Sequence, residues 1–76
     1  MIIELGGIMK GKENVKLKNL RIQYGYTYQD MADKLHVSKA FYWQVEHNNR
    51  RILYHLAKQI AEIFELRPDD IFYDEF

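Results

Sequence analysis

The sequence predicts an all-helical fold, a compact bundle of five short helices. Apolar residues recur at the three- and four-residue spacing of amphipathic helices through much of the chain. Residues that begin or end helices separate these segments from one another. A chain of 76 residues has room for one such domain, expected at 13–73 between an arm at 1–12 and a tail at 74–76.

The first helix is predicted between Glu13 and Tyr24. Its apolar residues recur at loosely helical spacing, with lysine and arginine between them: Val15, Leu17, Leu20 and Tyr24. Gly25 is expected to end this helix, because glycine readily adopts the left-handed conformation found just past a helix end.

The second helix begins with the capping-box pattern formed by Thr27 and Asp30. In this pattern the threonine side chain accepts a hydrogen bond from a free backbone amide, and the acidic side chain accepts one from the backbone amide of the threonine. The helix is expected to run through Leu35, with three residues facing the core: Met31, Ala32 and Leu35. Ala32 is small, which permits a close crossing of two helices.

A tight turn at 36–38 leads to the third helix, which Ser38 can cap. This helix is expected to continue to residue 46 or 47. Its centre is unusually aromatic, and we expect Tyr42 in the core and Trp43 on a partly exposed side.

Two further segments complete the bundle. Asn48 and Asn49 end the third helix, since asparagine tolerates left-handed backbone. A fourth helix is predicted at 53–66, and a very short fifth helix at 69–72 follows Pro68. The residues expected to face the core from these two helices are Tyr54, Ala57, Ile60, Ala61, Phe64, Ile71 and Phe72.

The zero net charge of the chain conceals an uneven distribution. Residues 10–52 carry nine basic and four acidic side chains, a net charge of +5. Residues 53–76 carry two basic and six acidic side chains, a net charge of −4, and Glu4 accounts for the remaining charge. A basic body of this kind suits a surface that faces phosphates.

Composition argues against several functional classes. The chain has no cysteine, which excludes disulfides and thiolate metal sites and fits a cytoplasmic location. Its apolar runs are too short to span a membrane, and its start lacks the layout of a secretory signal. The three histidines have no carboxylates at metal-ligand spacing, and no phosphate loop or nucleophile–base arrangement is present. We therefore expect neither a metal or other cofactor nor enzymatic activity.

From Gly25 to Val45 the pattern resembles a known family, the helix-turn-helix transcription regulators of the phage lambda repressor and Cro type, also called xenobiotic-response-element regulators. The resemblance covers roughly residues 15–72. It is carried by separated matches at Leu20-Arg21, Gly25, Ala32, Leu35, Val37-Ser38, Tyr42, Val45-Glu46, Ile60-Ala61 and Asp70-Ile71-Phe72. It implies sequence-specific binding of double-stranded operator DNA, with the helix after Ser38 in the major groove.

The resemblance also implies which residues touch DNA. By position, the side chains that contact bases are Lys39, Ala40, Phe41 and Gln44, with Phe41 at the rim. The residues implied as phosphate contacts lie at the starts of the second and third helices and after the third: Thr27, Tyr28, Gln29, Ser38, His47, Asn49, Arg50 and Arg51. The chain departs from the family where Tyr28 stands in place of a common glutamine. His36 and Asn48 also stand where glycine is frequent.

A homodimer would let such a domain read two half-sites. Tyr73 and Phe76 are apolar residues near the end of the chain with no evident place in the core, and we expect them to form the dimer interface.

At the other end of the chain, Met9 follows a segment, Leu5 to Ile8, whose codons could include a ribosome-binding sequence. Met9 is therefore a candidate for the natural start.

A second interpretation is a protein-interaction module, such as an antitoxin or the partner of another regulator. Trp43, Tyr73 and Phe76 would then contact a protein, and the neutral net charge agrees with this interpretation. Salt dependence distinguishes the two, because phosphate contacts release counterions and protein contacts need not. The interpretation as a DNA-binding protein predicts a repressor-like transcription regulator, related to those of phages or mobile elements.

Overall fold

Residues 13–72 form a bundle of five helices, in which the second and third helices, joined by a short turn, carry the candidate interface. The structure is a computed structural model that describes residues 13–72, and no strand occurs within that range. The helices are α1 (Val15–Gln23), α2 (Tyr28–Leu35), α3 (Lys39–Glu46), α4 (Tyr54–Ile63) and α5 (Pro68–Phe72). The predicted all-helical fold and its five-helix order are therefore confirmed.

Local side-chain chemistry sets where the first three helices begin. Asn14 accepts from the Leu17 amide at 3.0 Å and starts α1. Thr27 and Asp30 form the complete capping box at the start of α2. Each of these side chains supplies a partner for an amide that the helix itself leaves unpaired.

Left-handed residues end the helices, as predicted for Gly25 and Asn48. Gly25 follows α1 with φ of 76°, His36 follows α2 at 60°, and Asn48 lies just beyond α3 at 57°. Glu65 also has a φ of 57°. It ends the fourth helical segment earlier than the predicted residue 66, because a left-handed residue cannot continue a right-handed helix.

The core lies between all five helices. α2 packs against α3, α4 against α5, and α1 against α3. The buried apolar residues are Leu17, Met31, Ala32, Tyr42, Val45, Ile52, Ala57, Ile60, Ala61, Phe64, Ile71 and Phe72. The expected burial of Ala32, Tyr42 and the α5 residues is confirmed. Ile52, in the loop before α4, joins the core although no helical pattern marked it.

Three residues of the predicted apolar stripes lie outside the core. Val15 and Tyr24 of the first predicted helix are 55% and 45% exposed, and Tyr54 of the fourth is 56% exposed. The prediction that Tyr54 faces the core is wrong, because it is the first residue of α4. Val15 and Tyr24, which the sequence placed only at loosely helical spacing, likewise lie at the two ends of α1. The only buried residues of α1 are Leu17 and Arg21, one turn apart.

Candidate nucleic-acid interface

The turn between α2 and α3 sets how α3 is presented. His36 reverses the chain in left-handed conformation, and the Val37 amide donates to the Ala32 carbonyl at 3.0 Å. Ser38 then accepts from the Phe41 amide at 3.0 Å and begins α3. Met31 and Ala32, both fully buried, face the core that α3 covers with Tyr42 and Val45. The opposite side of α3 is consequently directed to solvent.

The four predicted base-contacting residues share this outer side of α3. Lys39 and Ala40 are exposed in its first turn, and Phe41 and Gln44 are half-buried, one turn apart. Lys39 makes no ion pair within residues 13–72. The face therefore offers an ammonium group, a methyl group and an amide within two helical turns.

Arg50, predicted as a phosphate contact, lies against two of these base-facing residues. Its Nε donates to Gln44 Oε1 at 3.0 Å, and its guanidinium carbon is 4.5 Å from the centre of the Phe41 ring. Arg51, the next residue, is exposed and makes no ion pair in the described range. The two arginines thus differ in placement although they are adjacent in sequence.

The predicted phosphate contacts at the helix starts are exposed or half-buried. Thr27 and Ser38 use their hydroxyls as helix caps. Gln29 is exposed and donates to Asp33 Oδ1 at 2.9 Å. Tyr28 is half-buried beneath the Arg21 guanidinium, whose carbon is 4.2 Å from the ring centre. Hydrogen bonds from Thr27, chiefly from its backbone amide, lower the pKa of Asp30 from its usual value.

His47 stands beside an aromatic surface at the end of α3. Its ring stacks on Trp43 with centroids 3.8 Å apart and planes at 15°, and Nδ1 lies 2.9 Å from the Trp43 carbonyl oxygen. Its Nε2 is 3.8 Å from a carboxylate oxygen of Glu13. Trp43 is 40% exposed, which agrees with the partly exposed position expected for it.

A buried ionic cluster beneath this surface was not foreseen from the sequence. Arg21 donates from Nε and Nη2 to the two oxygens of Glu46, at 2.8 and 3.0 Å, and from Nη1 to the Tyr26 carbonyl at 3.0 Å. The Tyr42 hydroxyl donates to Glu46 at 2.7 Å. Glu46 is fully buried, so each carboxylate oxygen has a partner, as burial of a charge requires.

The four-residue spacing of the two charged residues from buried apolar residues could have indicated this cluster. Arg21 follows Leu17 by four residues, and Glu46 follows Tyr42 by four, so each charge continues a buried helical face. The hydrogen bond to Glu46 is the largest of the effects that raise the pKa of Arg21. Burial is the main cause that raises the pKa of Tyr42. The cluster fastens α1 to the end of α3.

The acidic side chains of residues 13–52 are engaged within the domain. Glu13 pairs with Lys18 at 3.5 Å, Asp30 caps α2, and Asp33 accepts from Gln29. Glu46 is enclosed by Arg21 and Tyr42. The basic Lys39, in the first turn of α3, and Arg51, in the loop after it, are exposed and make no ion pair in the described range, so both charges are available to an anionic partner.

Within 13–72, no group of three or more histidine, aspartate or glutamate side chains is placed to hold a metal ion. None of the helices in that range is long and apolar enough to cross a membrane. The predicted dimer residues Tyr73 and Phe76 lie outside the described residues, as do the arm at 1–12, Met9, and the tail at 74–76.

Two capped helices joined by a three-residue turn, with the second helix presenting polar side chains, define a helix-turn-helix DNA-binding domain. The chain belongs to this family: a family model described as a helix-turn-helix domain matches residues 14–73. The match agrees with the resemblance to regulators of the lambda repressor and Cro type. Comparisons with curated proteins and with solved structures gave no match.

Proposed function

We propose that the protein is a sequence-specific transcription regulator that inserts the segment 38–47 into the major groove of operator DNA. The observation that carries this proposal is the outer side of α3, where Lys39, Ala40 and Gln44 are held by a capped turn. The acidic side chains of residues 13–52 make hydrogen bonds or ion pairs with other residues of the domain. A repressor acts most simply by occupying its operator, and the resemblance to phage regulators favours this mode of action.

The chemistry of each side chain suggests the base it reads. The Lys39 ammonium can donate to guanine O6 and N7, and the Gln44 amide can pair with adenine through one donor and one acceptor. The Ala40 methyl group suits a thymine methyl, and Phe41 suits contact at the edge of that site. These contacts would specify sequence.

Phosphate contacts would set the position of α3 in the groove. Backbone amides at the starts of α2 and α3 could donate to phosphate oxygens, and the positive ends of the helix dipoles favour negative charge there. The residues predicted for this role are Thr27, Tyr28, Gln29, Ser38, His47, Asn49, Arg50 and Arg51. Arg50 differs from the others because it contacts Gln44 and Phe41 on α3.

A binding measurement with α3 variants tests this function. The domain is titrated with its own upstream DNA and with random DNA at several salt concentrations. We expect Gln44→Ala and Lys39→Ala each to remove about 1–3 kcal/mol of the preference for the specific site. Lys58→Ala, which changes an exposed lysine on α4, is the matched control and should keep the preference.

The salt series separates this function from its alternative. Each phosphate neutralised contributes about −0.9 to the slope of log K against log salt on duplex DNA. A protein that binds no DNA, or binds all DNA equally and ignores both α3 substitutions, is not a sequence-specific regulator. A protein-interaction module would then be favoured, with Trp43, Leu53 and Tyr54 as exposed apolar residues for a partner.

We propose further that two chains bind one operator, with half-sites about 34 Å apart. Pairing raises affinity through effective concentration, and Tyr73 and Phe76 are the candidates for the contact between chains. Sedimentation of the free chain and of its operator complex is expected to give a dimer in the complex. A strict monomer at high concentration, both with and without DNA, would exclude this assembly.

A further inference from the structure

We infer that Arg50 is a base-reading residue that recognises guanine beside the base read by Gln44, and that Phe41, Gln44 and Arg50 act as one reading unit. This inference rests on the proposed function. The backbone of Arg50 lies in the loop after α3, but its guanidinium group lies against the outer side of α3. The hydrogen bond to Gln44 and the position over Phe41 hold it there from two sides.

The hydrogen bond to Gln44 leaves the rest of the arginine available. It uses only the Nε–H, and the four N–H groups on Nη1 and Nη2 remain. These terminal nitrogens form the planar fork that matches the O6 and N7 acceptors of guanine. The arginine side chain is exposed in the free protein, so a base can reach it.

Gln44 can still recognise a base while it holds Arg50. Its Oε1 has two lone pairs, of which the arginine uses one, and both amide hydrogens on Nε2 remain. An adenine N6 amino group and N7 can therefore pair with the same amide. Gln44 and Arg50 would then read adjacent bases.

Phe41 contributes by restricting the arginine. A guanidinium group over an aromatic face is attracted to the ring, and Phe41 and Gln44 lie one turn apart on the same face of α3. An arginine on a loop would otherwise lose much rotamer freedom upon binding DNA. With the side chain already positioned, less of this cost falls on the binding step.

The test is selection of binding sites by the full chain from a pool of random duplexes, followed by affinity measurements on single-base variants of the selected site. The wild type is expected to select guanine beside the base whose selection Gln44→Ala removes. Arg50→Lys keeps the charge but loses the fork and the Nε donor. We expect it to reduce the preference for that guanine by about 5- to 150-fold, the range for one bidentate base contact.

Arg51→Ala is the matched control. It should weaken binding to all sequences by a similar factor and lower the salt slope by about 1, without changing which bases are selected. Circular dichroism of each variant verifies that the fold is retained, as expected because Arg50 and Arg51 are exposed and Gln44 is only half-buried.

The outcomes separate the two proposals. If Arg50→Lys weakens binding to every base equally, or leaves the guanine preference intact while Gln44→Ala changes the selected site, the inference is overturned and the regulator function stands. If the wild type enriches no sequence over random DNA, the regulator function fails and this inference fails with it.

Discussion

Glu46→Ala is expected to lower the free energy of unfolding by about 3–5 kcal/mol, the cost of removing one partner from a buried ion pair. The substitution would leave the Arg21 guanidinium, which is 8% exposed, without a countercharge. It would also remove the acceptor of the Tyr42 hydroxyl. A small domain has a total stability of only about 5–10 kcal/mol, so most of the population is expected to unfold in mild denaturant. Urea unfolding measured by circular dichroism gives the value.

A triple variant separates the missing charge from the missing contacts. Arg21→Met, Tyr42→Phe and Glu46→Leu together remove every charged or hydroxyl group of the cluster and keep its volume approximately. Replacement of a whole buried ionic cluster by apolar residues is often neutral or stabilising. We expect the triple variant to recover most of the stability lost in Glu46→Ala. If Glu46→Ala unfolds at the same urea concentration as the wild type, the cluster does not fasten α1 to α3.

Leu17→Ala is expected to cost about 2–5 kcal/mol, the range for removing a buried leucine side chain. Leu17 is fully buried and is the only buried apolar residue of α1. A cavity at this position would loosen α1 from the bundle. Thermal and urea unfolding measure the loss.

Val15→Ala is the control on the same helix. Val15 is exposed, so its truncation should change the free energy of unfolding by no more than about 0.5 kcal/mol. The pair shows which apolar positions of α1 face the core, because the helical spacing in the sequence includes both Leu17 and Val15 and does not choose between them. Equal losses in the two variants would mean that α1 packs in another orientation.

The capped helix starts and the turns could be predicted because the chemistry involved is local. Thr27 and Asp30 are three residues apart, and the bonds they make are available as soon as that turn of helix forms. Gly25 and Asn48 could likewise be predicted as left-handed residues, since glycine and asparagine adopt that backbone conformation more readily than most residues. The positions of α2 and α3, and hence the outer side of α3, follow from these signals.

The orientation of α1 and the end of α4 could not be predicted to the same degree. Loosely helical apolar spacing is compatible with several faces, and the choice between them depends on what the rest of the bundle leaves open. Arg21 shows this: a charged residue occupies a buried position because Glu46, 25 residues further along, lies opposite it. Neither residue taken alone predicts burial, since charged residues are rarely buried unless paired.

The sequence by itself determined the fold class, the starts and ends of the helices around the turn, and the candidate base-facing residues Lys39, Ala40 and Gln44. The fold class and the helix ends depend on interactions within a few residues and on helical periodicity, whereas the base-facing residues are what the resemblance to the helix-turn-helix family implies. The tertiary structure alone decided the Arg21–Glu46 cluster and the approach of Arg50 to Gln44 and Phe41. These contacts join segments whose relative positions are set only when the helices pack, because the burial of a side chain depends on its neighbours in space.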